Sequence, residues 1–332
     1  MVVLVTGGLG YIGSHTIIEL VNNKYDVIVV DNLYNSSLDI IDRIYDICGY
    51  RVKYYNIDIL DKDKLEVVFK DNNIDAIIHF AGYKAVGESV ELPINYYMNN
   101  ISGSLNLYDL MIKYKVNKIV FSSSATVYGD PISSPICEDF NLSTTNPYGY
   151  SKLVNENILK DIERVNDFNV IILRYFNPIG AHSSGLIGER PNGIPNNLLP
   201  YIAQVADGTR EFLSVYGNDY NTIDGSGVRD YIHVVDLAIG HIKALEYLDK
   251  FKGYDVFNLG TSKGYSVLEI VKAFESVNDI KINYKIVDRR KGDIAICFAN
   301  TDKAYKLLGF SCKYDINDMC RDAWNFQKKL KN

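Results

Sequence analysis

Residues 1–15 read MVVLVTGGLGYIGSH, and their spacing decides how the rest of the chain is read. Val2 to Val5 is an unbroken apolar, mostly β-branched run, the pattern of a strand covered on both faces in a parallel sheet. Glycines stand at positions 7, 8, 10 and 13, and Tyr11 to Val21 carries apolar residues at helical spacing. A strand that turns through glycines into a helix start aims free backbone N–H groups and a positive dipole end at an anion. Gly7 suits the tight turn, Gly10 lets a pyrophosphate approach the backbone, and Gly13 lets the helix pack closely on the sheet.

The next segments extend this start into an α/β chain. Asp26 to Val30 reads as a second strand ending at Asp31, 18 residues beyond Gly13. That register suits a carboxylate that accepts hydrogen bonds from an adenosine ribose diol, and it would repel a 2′-phosphate, so it favours NAD over NADP. Asn32, Asn35 and Ser36 follow in a polar loop that can frame the same ribose. Arg51 to Ile57 reads as a third strand, leaving Asp58 and Ile59 to bound an adenine edge. A helix is expected over Asp61–Lys70, with Asp61 as its N-cap. Asp75 to His79 is a fourth strand with the exit loop Phe80-Ala81-Gly82-Tyr83-Lys84, and His79 reads as a satisfied core histidine. A long helix lies within Tyr96–Lys115, and strand five, Lys118 to Phe121, runs into Ser122-Ser123-Ser124. Tyr148 to Val165 is again helical, and Asn169 to Leu173 is strand six. Six strands alternating with helices predict a doubly wound parallel sheet, whose ligands gather beyond the strand carboxyl ends. Past Asn177 the prolines and glycines break this rhythm; a helix over Val234–Leu248 and a strand over Asp255–Leu259 then point to a return to the main sheet.

Composition narrows the classes of function. A net charge of −6 over 332 residues gives no broad positive field, which argues against nucleic acid as a partner. Cys48, Cys137, Cys297, Cys312 and Cys320 are scattered and odd in number, so neither a metal site nor a disulfide framework is indicated. No apolar stretch nears the roughly 20 residues a bilayer span needs, so no membrane partner is expected. Five residues, Met1 to Val5, lead directly into the glycine loop, so no signal peptide is expected. A reducing, cytoplasmic setting is the expectation.

A second motif carries chemistry: Tyr148-Gly149-Tyr150-Ser151-Lys152, a Tyr-x-x-x-Lys pair. Residues four apart share one helix face. A lysine ammonium there favours ionised tyrosine, lowering a phenol pKa that is ordinarily about 10. A phenolate near neutrality is a competent general base toward a substrate hydroxyl. Ser124, at the exit of strand five, can hydrogen-bond the same substrate oxygen; it has no histidine–carboxylate partner, so a nucleophilic role is not expected.

Together these stretches resemble the extended short-chain dehydrogenase/reductase family, and within it the enzymes that epimerise UDP-sugars at carbon 4. The resemblance runs through VTGGLGYIGSH, DNL, HFAGYKAVGES, FSSSATVYGD, NPYGYSK, LRYFNPIGAH, GIPNNLLPYIAQVA, GVRDYIHV and RRKGD. Dehydratases similar to this group carry an Asp-Glu pair where this chain has Ala125-Thr126, which argues against dehydration. The resemblance implies a Rossmann fold with a smaller mixed α/β lobe: residues 1–176, with 234–260 returning, for NAD, and 177–233 with 261–332 for a UDP-sugar. It implies tightly bound NAD contacted by Tyr11 and Ile12, by Asp31, Asn32, Leu33, Tyr34, Asn35 and Ser36, by Asp58 and Ile59, by Phe80, Ala81, Gly82, Tyr83 and Lys84, and by Asn99, Ser124, Tyr148, Lys152 and Phe176. It further implies that Tyr148 takes the proton of a sugar 4-hydroxyl while C4 gives a hydride to NAD, and that the keto sugar turns over before the hydride returns.

For such turnover the nucleotide must be gripped and the sugar held loosely. Arg229 and Arg290 can hold a diphosphate through charge-assisted hydrogen bonds. Lys84, Ser124, Tyr148, Asn177, Asn197, Leu198, Tyr216 and Asp293 occupy positions that the family uses around UDP and the sugar. Cys297 stands where some relatives carry a tyrosine, which implies room for a 2-acetamido group and hence UDP-GlcNAc and UDP-GalNAc beside UDP-glucose and UDP-galactose. The family also implies a homodimer built through helices near residues 94–114 and 148–166. Two other readings stay open: another nucleotide-sugar enzyme, such as a decarboxylase or a net dehydrogenase, and a non-catalytic NAD-responsive binding protein.

Overall fold

The apolar, β-branched runs Val2–Thr6, Asp26–Asp31, Ala76–His79 and Asn169–Tyr175 form central strands, whose side chains are almost all buried. The computed structural model describes residues 1–290 and 293–331. The strands are β1 (Val2–Thr6), β2 (Asp26–Asp31), β3 (Lys53–Asn56), β4 (Ala76–His79), β5 (Lys118–Ser124), β6 (Asn169–Tyr175), β7 (Asn177–Ile179), β8 (Leu213–Tyr216), β9 (Val228–His233), β10 (Gly253–Leu259), β11 (Gly264–Ser266), β12 (Tyr284–Val287) and β13 (Ile296–Cys297). The helices are α1 (Tyr11–Asn22), α2 (Asp39–Cys48), α3 (Lys62–Asp71), α4 (Val86–Glu91), α5 (Pro93–Tyr97), α6 (Gly103–Tyr114), α7 (Pro147–Asn166), α8 (Leu198–Ala206), α9 (Val234–Leu248), α10 (Val267–Asn278) and α11 (Ile316–Lys331).

Seven strands pair in parallel in the order β3-β2-β1-β4-β5-β6-β10. Side chains alternate across the sheet: Val3 and Val5 join the core under α1, α2 and α9, while Leu4 joins the core under α3, α6 and α7. The predicted return strand is β10, on the edge beside β6. Strand order reverses between β1 and β4, opening a crevice beyond their carboxyl ends. His79 is the expected core histidine. Ser104 Oγ donates to the Asn100 carbonyl, so His79 Nε2 donates to that hydroxyl at 2.8 Å and Nδ1 accepts from Thr6 at 2.6 Å. Burial holds its pKa down to about 3.

The rest of the chain adds β7, β9, β11 and β13 as one small sheet and β8 with β12 as a parallel ribbon. They pack with α8, α10 and α11 around a second core of Leu199, Ile202, Ile270, Phe274 and Met319. Strand β7 leaves β6 after Phe176, so Asn177 stands where the main sheet passes into this second layer.

Candidate functional site

The glycine loop is shaped by contacts that admit no side chain. Gly7 has φ +68°, and a Cβ there would lie 2.7 Å from the Ala81 amide nitrogen. A Cβ on Gly13 would lie 2.5 Å from the Gly7 carbonyl oxygen. Over Gly10 only that same carbonyl comes near, at 3.3 Å, so the space in front of the helix start is open. The first turn of α1 carries no acid and no side-chain cap, which leaves its leading amides to an outside acceptor.

Asp31 closes β2 and is buried. Its carboxylate accepts from the Leu9 amide at 3.0 Å, the Leu33 amide at 2.9 Å and the Ser36 hydroxyl at 2.8 Å. It therefore fixes the glycine loop as well as offering an acceptor at the crevice. Asn32 donates to Asp58 at 2.9 Å, linking the ends of β2 and β3. Tyr34 and Tyr83 pack as tilted rings with centroids 4.5 Å apart, while Asn35 is exposed. Ile59 is a core side chain wedged where a Gly103 Cβ would be, 2.7 Å away. Phe80 and Ala81 both donate to the Thr6 carbonyl, which holds the β4 exit against β1.

Between α5 and α6 the chain makes a π-helical turn, Met98–Ser102, which carries Asn99 and Asn100. Such turns collect at functional sites. Asn99 donates to Asn100 at 2.9 Å; Asn100 in turn accepts from the Tyr83 amide and donates to the Tyr83 carbonyl and Ser151 hydroxyl. This side chain ties the β4 exit loop to α7.

Helix α7 starts at Pro147 because Asn146 caps it through the Gly149 amide at 2.8 Å, which sets Tyr148 in the first turn. Burial pushes the Tyr148 phenol up from its usual pKa; the hydrogen bond with Ser124 and then the charge of Lys84 pull it back. Thr126 donates to Ser124 through both its amide and its hydroxyl, fixing that serine. Lys152 is buried and donates to the Ser122 carbonyl at 2.7 Å, with its ammonium 6.0 Å from the Tyr148 ring centroid. Burial brings its pKa down to about 8 against the raising effect of Glu156. One helical turn thus places the Lys152 ammonium deep against β5, and Lys84 from the β4 exit loop is a second cation that lowers the phenol pKa.

The proposed sugar-nucleotide residues fall on the second layer. Asn177 donates to the Asp230 carbonyl at 3.0 Å, and Phe176 is buried beside Cys297, Val127 and Ala299. Cys297 pairs with Arg229 across β13 and β9, and burial pushes its thiol up to about 11. Arg229 is ion-paired with Asp293, and the Arg290 guanidinium lies 3.9 Å over the Tyr216 ring. Lys291 and Gly292 of the RRKGD stretch lie outside the described residues. Leu198 opens α8, and Asn197 before it turns its side chain to Glu189 at 2.6 Å.

The model of the NAD dependent epimerase/dehydratase family matches residues 3–260. The chain belongs to that family. It is 57% identical, over 100% of its own length and 98% of the other's, to a UDP-glucose 4-epimerase of Bacillus subtilis (strain 168). A UDP-glucose 4-epimerase of Pasteurella multocida (strain Pm70) is 58% identical over 99% and 98% of the two chains. Among solved structures, the UDP-glucose 4-epimerase of Bifidobacterium longum in complex with NAD+ and UDP superposes with a TM-score of 0.96 at 53% identity, covering 100% of this chain and 99% of that one. The family's dinucleotide fits the residues present: the open face over Gly10, the uncapped start of α1 and the Asp31 carboxylate match a pyrophosphate and a ribose diol.

Three residues of this centre escape a reading by motif. Asn100, Glu156 and Glu189 each act through long-range partners, and no local spacing announces them. Glu156, one turn beyond Lys152, accepts two hydrogen bonds from Arg174 at 3.1 and 2.6 Å and one from Ser123 at 2.5 Å, all buried. Glu189 joins Lys84 at 2.9 Å to Asn197.

Proposed function

We propose that this family member is an NAD-dependent 4-epimerase that interconverts UDP-glucose and UDP-galactose. The observation that carries the reading is that the first turn of α7 brings Tyr148 to the end of β5, where Ser124 stands and where Lys152 is held on the Ser122 carbonyl, in the crevice that begins at the glycine loop. Bound NAD supplies a reversible hydride acceptor for the sugar C4. Tyr148 removes the proton of the 4-hydroxyl and later returns one to the same oxygen. Ser124 holds that oxygen beside the phenol, and Lys152, locked on the Ser122 carbonyl, keeps two donors for the cofactor's ribose side. Ala125 and Thr126 provide no acid to expel a neighbouring hydroxyl, which favours epimerisation over dehydration.

On this reading residues 1–176 with 234–260 hold NAD, and residues 177–233 with 261–332 hold the UDP-sugar. Arg229 and Arg290 grip the diphosphate, so one sugar face can be exchanged for the other while the nucleotide stays bound. Incubation with UDP-galactose and no added NAD should yield UDP-glucose, and Tyr148→Phe should lower kcat on the order of 10²–10⁴-fold. No product from the wild type, or equal activity in the variant, would defeat the proposal.

A second substrate pair is favoured by Cys297, whose small thiol packs near Phe176 at the sugar end of the cleft. UDP-GlcNAc and UDP-GalNAc are therefore proposed as further substrates. Cys297→Tyr should depress their turnover on the order of 100-fold while sparing UDP-galactose; an equal effect on both pairs would contradict this.

The exposed apolar side chains Ile94, Met98, Leu105, Ile112 and Val165 support a homodimer through α5 to α7, which sedimentation at twice the chain mass would establish and a monomer would refute. A cytoplasmic setting suits the five unpaired cysteines, and among the described residues no helix is long and apolar enough to cross a membrane. Recovery of the native protein outside the cytoplasm would overturn that placement.

A further inference from the structure

We infer that residues 186–192 form a strap that retains the dinucleotide, reaching from the second layer over the mouth of the crevice. The inference rests on the reading of the crevice as an NAD site. The strap begins in a short hairpin: Ala181 bridges Gly188, the His182 amide donates to the Ile187 carbonyl, and the Gly185 amide closes the turn on His182. Helix α11 anchors that hairpin. Asn325 donates to the Ser183 carbonyl at 3.1 Å and Lys329 to the Ser184 carbonyl at 2.6 Å. Phe326 lies so close on Gly188 that a Cβ there would be 2.4 Å from its ring.

From this base the chain crosses to α2 and to two cofactor segments. Arg43 of α2 donates to the Leu186 carbonyl at 2.8 Å, and its other nitrogen pairs with Asp39 at 2.9 Å. Arg190 reaches the same Asp39 at 3.6 Å. Asn192 donates to the carbonyl of Tyr34, in the loop after β2, at 3.4 Å. Between them Glu189, its side chain nine-tenths buried, accepts from Lys84 of the β4 exit loop and from Asn197 with a single oxygen. Its second oxygen is buried without a partner among the described residues, and its charge adds to burial in raising the Tyr11 phenol.

The touch points are therefore the first half of α2 and the exits of β2 and β4. The Arg190 and Asn192 contacts are exposed and individually weak, so they hold position more than energy. At the Glu189 contact the carboxylate is enclosed while Lys84 is half exposed, and it joins a cofactor-side cation to a residue of the sugar-nucleotide side. A dinucleotide seated on the glycine loop can leave only when these contacts part. A recycled cofactor needs that retention; a cosubstrate released every turn would be hindered by it.

The test measures exchange of bound NAD. Wild-type holoenzyme, Arg190→Ala/Asn192→Ala and Glu189→Ala are each mixed with excess isotopically labelled NAD, and label uptake is followed by rapid desalting. The double variant should exchange at least threefold faster with kcat at saturating NAD within twofold of wild type, and Glu189→Ala at least tenfold faster. Unchanged exchange in both variants, with NAD present in the wild type, would overturn the strap alone. A wild-type protein that carries and takes up no NAD would overturn the cofactor reading and the strap with it.

Discussion

Tyr148 meets opposed influences in the folded chain. Burial raises its pKa, whereas the Ser124 hydrogen bond and the Lys84 cation lower it. Removing Lys84 leaves burial less opposed, so in Lys84→Gln the phenol needs a higher pH to ionise. The acid limb of the kcat profile should move toward higher pH, and an unmoved or lowered limb in stopped assays across pH 5 to 10 would contradict that assignment. The Tyr-x-x-x-Lys spacing in the sequence points to the proposed base and its lysine, but not to the geometry of the pair. It is the depth of one helical turn that carries Lys152 to the Ser122 carbonyl, while Lys84 adds a charge from another loop.

Helix α7 and strands β5 and β6 hold the reacting side chains through one buried ion pair. Glu156 and Arg174 are both almost fully enclosed, and Arg174 also donates to the Tyr128 hydroxyl at 2.9 Å. Breaking one partner of such a pair leaves an uncompensated buried charge, so Glu156→Gln should cost about 3–5 kcal/mol in urea unfolding. A loss below about 1 kcal/mol would show that the pair carries little. Elements of this kind were half legible in sequence. The apolar runs of β1, β4 and β6 and the Asp61 cap could be read locally, because propensity and pattern there agree with the fold. Asp61 accepts from the Lys64 amide at 3.2 Å, as its position suggests. Glu156 could not be read, since in a polar helix it looks like a solvated face and its burial is decided by two strands distant in sequence. The short strands of the second layer were illegible for a related reason. They are two to six residues long and are set by pairing with one another, not by a local period.

At the scale of the whole molecule, a parallel sheet supplies the crevice and a second layer grips what enters beside it. The resemblance read from the sequence placed Arg229, Arg290, Tyr216 and Asp293 at one ligand, and folding brings them near each other as an ion pair and a guanidinium stacked on a ring. What sequence could not show is that residues 186–192 cross back to the glycine-loop side, because those contacts span more than a hundred residues. Together the two layers describe an enzyme that keeps its NAD and turns its substrate over, so the hydrogen taken from C4 should return to C4. The most direct measurement starts from UDP-galactose carrying deuterium at C4 and follows the UDP-glucose formed in ordinary water by mass spectrometry and NMR. The account predicts product that retains the deuterium at C4; loss of the label to water, or its appearance in released NADH, would contradict it.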